Sequence, residues 1–248
     1  MHPTEEILLG LASGDCDLPR RVLVEGHLGG CSSCRATLAE MTLPGGSLLR
    51  GIDGAAPPAG LWHELRRRVV ALPPVAVSAA GGAAGAGGGP AGGALLVQPT
   101  RAKQPEQAAM PPGLAEVAEL PLPASVRGEL PALAAMRRVP WRWALAPGAW
   151  YAELARDPWT RSVLLLGYLE PRRALPAHRH LAQEDVLVLA GGFDDVAGHH
   201  EAGEYAIYAA GSEHRPVTEP RQDCWCLVRL EKPNQLLGWR GWLQHLPR

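Results

Sequence analysis

"PAHRHLAQED", residues 176–185, sets His178 and His180 two positions apart and Glu184 four residues further on. On a β-strand, residues two apart point to the same face, so this spacing lays two imidazoles side by side with a carboxylate close behind. "AAGSEHRP" (209–216) supplies His214 from a different hairpin. Three imidazoles and one carboxylate make a divalent-metal site with open positions, suited to Zn, Fe, Mn or Ni. The surrounding runs, "RSVLLLGYLEP" (161–171), "DVLVLAGGFDD" (185–195), "GEYAIYAAG" (203–211) and "DCWCLVRLE" (223–231), are short and β-rich, with Gly, Pro and acidic turns between them. Such spacing predicts an all-β barrel.

Upstream the texture changes. From Val69 to Thr100 there are 32 residues without a charge, and residues 79–94 are all Ala, Gly or Pro. A membrane span needs about 20 residues of the Leu, Ile, Val or Phe kind, and glycine and proline form helix poorly. Residues 73–112 are therefore read as a flexible Ala/Gly/Pro-rich linker and not as a span. It separates residues 1–72 from residues 113–248, each long enough to bury its own core, with the barrel core at about 138–232.

The N-terminal part is helical by pattern. "PTEEILLGLA" predicts a helix over 3–13, opened by Pro3 and closed at Gly14. A second helix is expected from Leu18 to Leu28, stopping at Gly29-Gly30, and a third from about Cys34. "AGLWHELRRRVVAL" (59–72) gives a fourth, with Leu61, Leu65, Val69 and Leu72 along one stripe beside Trp62. In this frame His27 ends one helix and Cys31-Ser-Ser-Cys34 curls into the next. Three ligands then converge, and tetrahedral zinc needs a fourth. His2, just ahead of the first helix, is the candidate, with Cys16 as its competitor. A redox CxxC is expected beside a strand in a βαβ context, and buried inert cysteines are the remaining reading.

Two resemblances rest on these residues. His-x3-Cys-x2-Cys between short helices, with a histidine 25 residues upstream, resembles the zinc-binding anti-sigma domain that sequesters extracytoplasmic-function (ECF) sigma factors. His178, His180, Glu184 and Gly191 match the first cupin motif, and Gly203, Gly211 and His214 match the second. Ala209 stands where that motif carries proline, and Arg172 where the first opens with glycine. Helical zinc domain, linker and single cupin, in that order, resemble the ChrR-like anti-sigma factors. The resemblance implies a multidomain α plus all-β chain that is not an enzyme. It implies a 1:1 complex with an ECF sigma factor, Zn2+ at His2, His27, Cys31 and Cys34, and a second divalent metal, Zn2+ foremost, at His178, His180, Glu184 and His214. Leu61, Trp62, Leu65 and Val69 would touch the partner. The cupin would answer an oxidative signal, singlet oxygen in some relatives.

Other features bound the reading. A net charge of -1, from 24 basic and 25 acidic residues, leaves no basic footprint for direct nucleic-acid binding. The start "MHPTEEILLG" lacks the pattern of a secretory signal, so a cytoplasmic location is expected. "DCWC" puts Cys224 and Cys226 on one strand face, as a candidate redox pair or as small buried hydrophobes. The rival class is a metal-dependent cupin dioxygenase or isomerase carrying a helical targeting domain. Against it, only Tyr205, Tyr208 and Arg215 are available around the ligands as extra acid, base or clamp.

Overall fold

In a computed structural model, the structure describes residues 1–50, 54, 56–71, 120 and 139–238. The expected linker, 73–112, lies outside them.

Among the described residues there are four helices and twelve strands. Thr4 caps α1 (Glu5–Ser13), its side chain accepting from the Ile7 amide, and Gly14 closes the helix at φ 77°. Pro3 therefore precedes the cap and does not open the helix as expected. Asp17 caps α2 (Leu18–Gly30) by accepting from the Arg20 amide at 2.8 Å, with a proline in its first turn. This helix runs through both glycines that were expected to stop it, and Cys31 ends it by donating its amide to the His27 carbonyl. Next, α3 (Ser32–Arg50) begins two residues ahead of expectation and continues through Pro44. Helix α4 (Leu61–Ala71) belongs to a separate compact unit.

The β-structure comprises β1 (Arg142–Trp143), β2 (Ala149–Arg156), β3 (Val163–Leu169), β4 (His178–Arg179), β5 (Glu184–Ala190) and β6 (Gly192–Asp195). It continues with β7 (Gly198–Glu201), β8 (Tyr205–Tyr208), β9 (Glu213–His214), β10 (Val217–Thr218), β11 (Cys224–Leu230) and β12 (Gln235–Leu236). A six-stranded sheet runs β1-β2-β3-β11-β5-β8, beside three-stranded sheets β10-β6-β7 and β12-β4-β9. Every pairing is antiparallel. This is the cupin-type barrel expected from the histidine spacing. Gly191 turns the chain between β5 and β6 at φ 67°, where a Cβ would run into the Asp223 carbonyl, so the motif glycine is required by space as well as by φ.

The large sheet is covered on both faces, and alternation decides which residue goes where. Along β11, Cys224 and Cys226 join Val186, Val188 and Phe193 in the barrel interior. Trp225 and Leu227 turn outward and pack with Leu154, Leu164 and Leu187 against Ile7, Leu8, Val22, Leu23 and Val24 of α1 and α2. Val22, Leu23 and Val24 are at most 1% exposed, and burying each such side chain contributes roughly 1.5–3 kcal/mol. The separate cores expected for the two parts are thus replaced by a shared one, and residues 1–49 form one compact unit with the barrel. Gly26 on α2 lies so close to β5 that a Cβ there would meet the Leu187 side chain.

Charge reinforces this docking. Arg229 of β11, 2% exposed, donates from Nε to the Asp17 carboxylate at 2.8 Å, and from Nη2 to Asp17 and to Glu231 at 2.9 Å. Arg20 of α2 donates to Asp185 of β5 at 2.8 Å, and the Leu18 amide to Asp157 at 3.1 Å. A buried arginine is tolerated when its charge is matched in this way. The first turn of α2 is consequently anchored on the barrel by both its backbone and its cap.

Candidate metal centres

Among the described residues, two sets of four each bring one ligand atom apiece to within 4.8 Å of the others: His2, His27, Cys31 and Cys34, and His178, His180, Glu184 and His214.

The first set is assembled by helix ends. His2 precedes α1, His27 sits in the last turn of α2, Cys31 caps that helix and Cys34 lies in the first turn of α3. His2 Nδ1 lies 3.2 Å from His27 Nε2, 3.4 Å from Cys31 Sγ and 3.3 Å from Cys34 Sγ. Cys16, the competing fourth ligand, points elsewhere, its thiol directed to the Ile7 carbonyl at 3.8 Å. The Ser33 hydroxyl and the Cys34 amide pull the Cys31 thiol down to about 6, toward the thiolate a metal needs. Burial and the adjacent Cys31 push the Cys34 thiol up. His27 Nδ1 is 2.8 Å from the Gly203 carbonyl. A carbonyl only accepts, so Nδ1 carries the proton and Nε2 presents its lone pair to the cluster.

The second set stands on strands. His178 and His214 are directly paired residues of β4 and β9, His180 follows β4, and Glu184 opens β5. All four are at most 5% exposed. His178 Nδ1 donates to the Pro176 carbonyl at 2.9 Å and His214 Nδ1 to the Asp195 carboxylate at 2.7 Å. Their Nε2 atoms, both lone-pair carriers in the neutral rings, then face each other at 2.9 Å. Burial holds His178 below its ordinary value and His214 at about 4, so neither ring takes a second proton at neutral pH. Two facing lone pairs and one nitrogen of buried His180, whose ring makes no hydrogen bond, fit a cation that accepts from all three rings. Glu184 lies 3.5 Å from His180 Nδ1 and accepts from Asn234 at 2.5 Å. Burial alone would raise its carboxyl, but His180 and the neighbouring groups hold it below the ordinary value.

Asp195 and His200 were not singled out by sequence. Burial opposes ionisation of Asp195, yet hydrogen bonds from Tyr208 at 2.6 Å, His214 and His200 at 3.1 Å hold it at about 2. Its signal, the acidic pair in "GGFDDVAGHH" (191–200), reads as a turn until the Asp195 side chain on β6 is seen against His214 of β9. Tyr205 faces the helices instead of the ligands, and Arg215 is exposed.

Beside the second set lies a cavity of about 500 Å³, bounded by His178, Glu184, His214, Val186, Phe193 and Leu165. That size is typical of small-molecule sites. Cys224 and Cys226 also line it, and their mutual hydrogen bond together with burial pushes the Cys224 thiol well above its ordinary value. On α4, Trp62 is 76% exposed and Leu61 and Leu65 are also exposed, while Glu64 pairs with Arg67 and Arg68. The side chain of Val69 lies outside the described residues. No helix among the described residues is long and apolar enough to cross a membrane.

Comparison with known proteins adds three findings. Residues 131–233 match the ChrR cupin-like domain. Over 61 residues the chain is 39% identical to the anti-sigma-E factor ChrR of Cereibacter sphaeroides, a match covering 25% of this chain and 29% of that protein's length. The fold is similar to the crystal structure of Rhodobacter sphaeroides SigE in complex with the anti-sigma ChrR, with TM-score 0.61 and 23% identity over 92% of this chain and 97% of that one.

Proposed function

We propose, from a chain that is ChrR-like in its cupin sequence and its fold, that this protein is an anti-sigma factor. Its N-terminal helices hold an ECF-type sigma factor in a 1:1 complex, and the cupin loosens that hold in response to an oxidative signal. The observation that carries this reading is the union, in one compact unit, of a His/Cys cluster at helix ends with a barrel of the ChrR cupin type.

Zinc bound by two thiolates and two imidazoles would supply a tetrahedral crosslink. The residues themselves fix three helix ends relative to one another: His2 ahead of α1, His27 and Cys31 at the end of α2, and Cys34 at the start of α3. Helix α4 offers Leu61 and Leu65, with Trp62 beside them, as side chains exposed among the described residues and of the kind that dock in a groove, Trp62 being the anchor. His178, His180, Glu184 and His214 would hold the second divalent ion, Zn2+ foremost. An oxidant entering the adjoining cavity would reach the thiols of Cys224 and Cys226, which line it. The chain works as a regulator in the cytoplasm, where its partner binds polymerase, and makes no direct contact with nucleic acid.

Co-purification of the metal-loaded chain with each ECF sigma factor of its source genome tests this. One of them is expected to elute as a 1:1 complex and to lose transcription in vitro. Failure of every one to bind overturns the reading. The cavity beside the second centre favours a rival enzyme reading, and turnover of a small molecule by a chain that binds no sigma factor would establish it.

A further inference from the structure

The nitrogen that fixes the orientation of His27 is held by a residue 176 positions away. Gly203 lies in the turn between β7 and β8, at φ 90°, and its carbonyl accepts from His27 Nδ1 at 2.8 Å. Among the described residues, no group of the N-terminal part is seen to perform this task for that nitrogen. Outer partners of this sort set the tautomer and aim of a ligating histidine, so the barrel supplies a component of the helical cluster.

The turn is itself tied to the second centre by two routes. Through the backbone, the Gly203 amide donates to the Val188 carbonyl at 2.8 Å, and the Val188 amide to the Glu204 carbonyl at 3.1 Å. Val188 and the candidate ligand Glu184 are both on β5. On the far side the Tyr205 amide donates to the Met1 carbonyl at 3.1 Å, next to His2. Through side chains, Asp195 bonds His214 Nδ1 with one oxygen and His200 Nε2 with the other. His200 is fully buried, stacks on Phe193 at 4.6 Å, and turns Nδ1 toward Glu204 at 3.9 Å. Both routes end on residues 201–205.

We propose that Gly203 is a positioning residue for the His2–His27–Cys31–Cys34 centre, and that the 201–205 turn couples this centre to the His178–His180–Glu184–His214 centre. The inference rests on the two-centre reading given above. An ion drawn into the barrel centre fixes β5, β9 and the Asp195 chain, steadies the turn, and so holds the Gly203 carbonyl where His27 needs it. Linkage makes the effect reciprocal: each ion raises the affinity for the other. The flexible linker expected between the two parts is then not required as the channel of communication.

Cobalt(II) reads the centres separately, because only the first has sulfur donors and gives thiolate-to-metal charge transfer. Chelator competition on the full-length chain, followed at that band, would be run on the unsubstituted protein, Gly203→Ala, His178→Ala and the double variant. The added Cβ of Gly203→Ala meets nothing within 4 Å, so the substitution acts through the left-handed φ of the turn. Gly203→Ala is expected to weaken cobalt binding at the thiolate centre on the order of 10-fold, and His178→Ala several-fold less. In the double variant His178→Ala should add nothing, the non-additive result of a shared route. An unchanged affinity in Gly203→Ala, or effects that simply multiply, would overturn the proposal while leaving both centres in place. Absence of the charge-transfer band in the unsubstituted chain would sink the two-centre reading itself, and the coupling with it. Should Gly203→Ala not fold, nitrogen-15 NMR of the unsubstituted chain decides: a slowly exchanging proton on His27 Nδ1 is expected, and an Nε2–H tautomer rejects the role of Gly203.

Discussion

The two centres share a ligand count and differ in almost everything else. The barrel centre is built from strands, and every one of its four residues is buried. The N-terminal centre is built from helix ends, with His2 exposed, Cys31 half-buried, and only His27 and Cys34 fully inside. The set enclosed by strands is shielded from water and lies beside a cavity. The one stitched from three helix ends depends on each helix staying where it is, and it sits within reach of solvent. The contrast is therefore one of enclosure against exposure.

Four perturbations press on that contrast. The largest effect is expected from removing a ligand on each side. Cys34→Ala should lower metal content from two ions per chain to one and abolish sigma binding, whereas His178→Ala should remove the other ion and leave the thiolate band. Metal analysis with cobalt spectra checks this, and loss of both ions from either variant would erase the distinction. Next is Arg229→Met, which leaves buried Asp17 without its paired cation while Asp185 keeps Arg20. It should cost about 3–5 kcal/mol in chemical denaturation and loosen α2. Gly26→Val should cost about 1–3 kcal/mol by overpacking against Leu187, with the barrel ion retained and the helical one bound less tightly.

The smallest effect is a response to acid. Asp17 is held below the ordinary carboxylate value: burial alone would raise it, but Arg229 and the Arg20 amide prevail. Asp157 is likewise lowered, against burial, by the amides of Thr160, Leu18 and Trp159. A depressed folded pKa gives stability that is complete above the unfolded value of about 4 and is lost as pH falls through the folded one. Helix α2 should therefore loosen from the barrel below about pH 4, and hydrogen exchange of the Val22–Val24 amides would report it. Protection that persists to lower pH would mean that apolar contact alone holds the helix.

The parts that were legible in the sequence are those written locally. His178 and His180 two apart follow from strand period, with Glu184 four further along, Gly191 comes with the cupin motif, and the N-terminal helices follow from apolar spacing and their turn residues. Helix ends were less legible: Thr4 and Asp17 cap α1 and α2 through their side chains, and α2 continues through Gly29-Gly30 because the Cys31 amide still finds the His27 carbonyl. What alternation and periodicity do not carry is the identity of the opposite surface. An amphipathic pattern says that a helix face is covered without saying by what, so the pattern alone does not single out the barrel's outer face as the cover of α1 and α2. Val22, Leu23 and Val24 held a clue, since three consecutive buried residues span too wide an arc for one neighbour. Asp195 and Gly203 escaped for a related reason: each acts on a residue that only the folded chain brings near.

The shared core also has a consequence for synthesis. Helices α1 and α2 leave the ribosome before the barrel, but Trp225 and Leu227, which complete their packing surface, are made roughly 200 residues later. At 5–20 residues per second that delay is on the order of 10–40 s. Throughout it, Leu23 and its neighbours lack the full sheet that covers them, and for most of it His27 has no Gly203 carbonyl. Helices made ahead of the barrel are finished only with it.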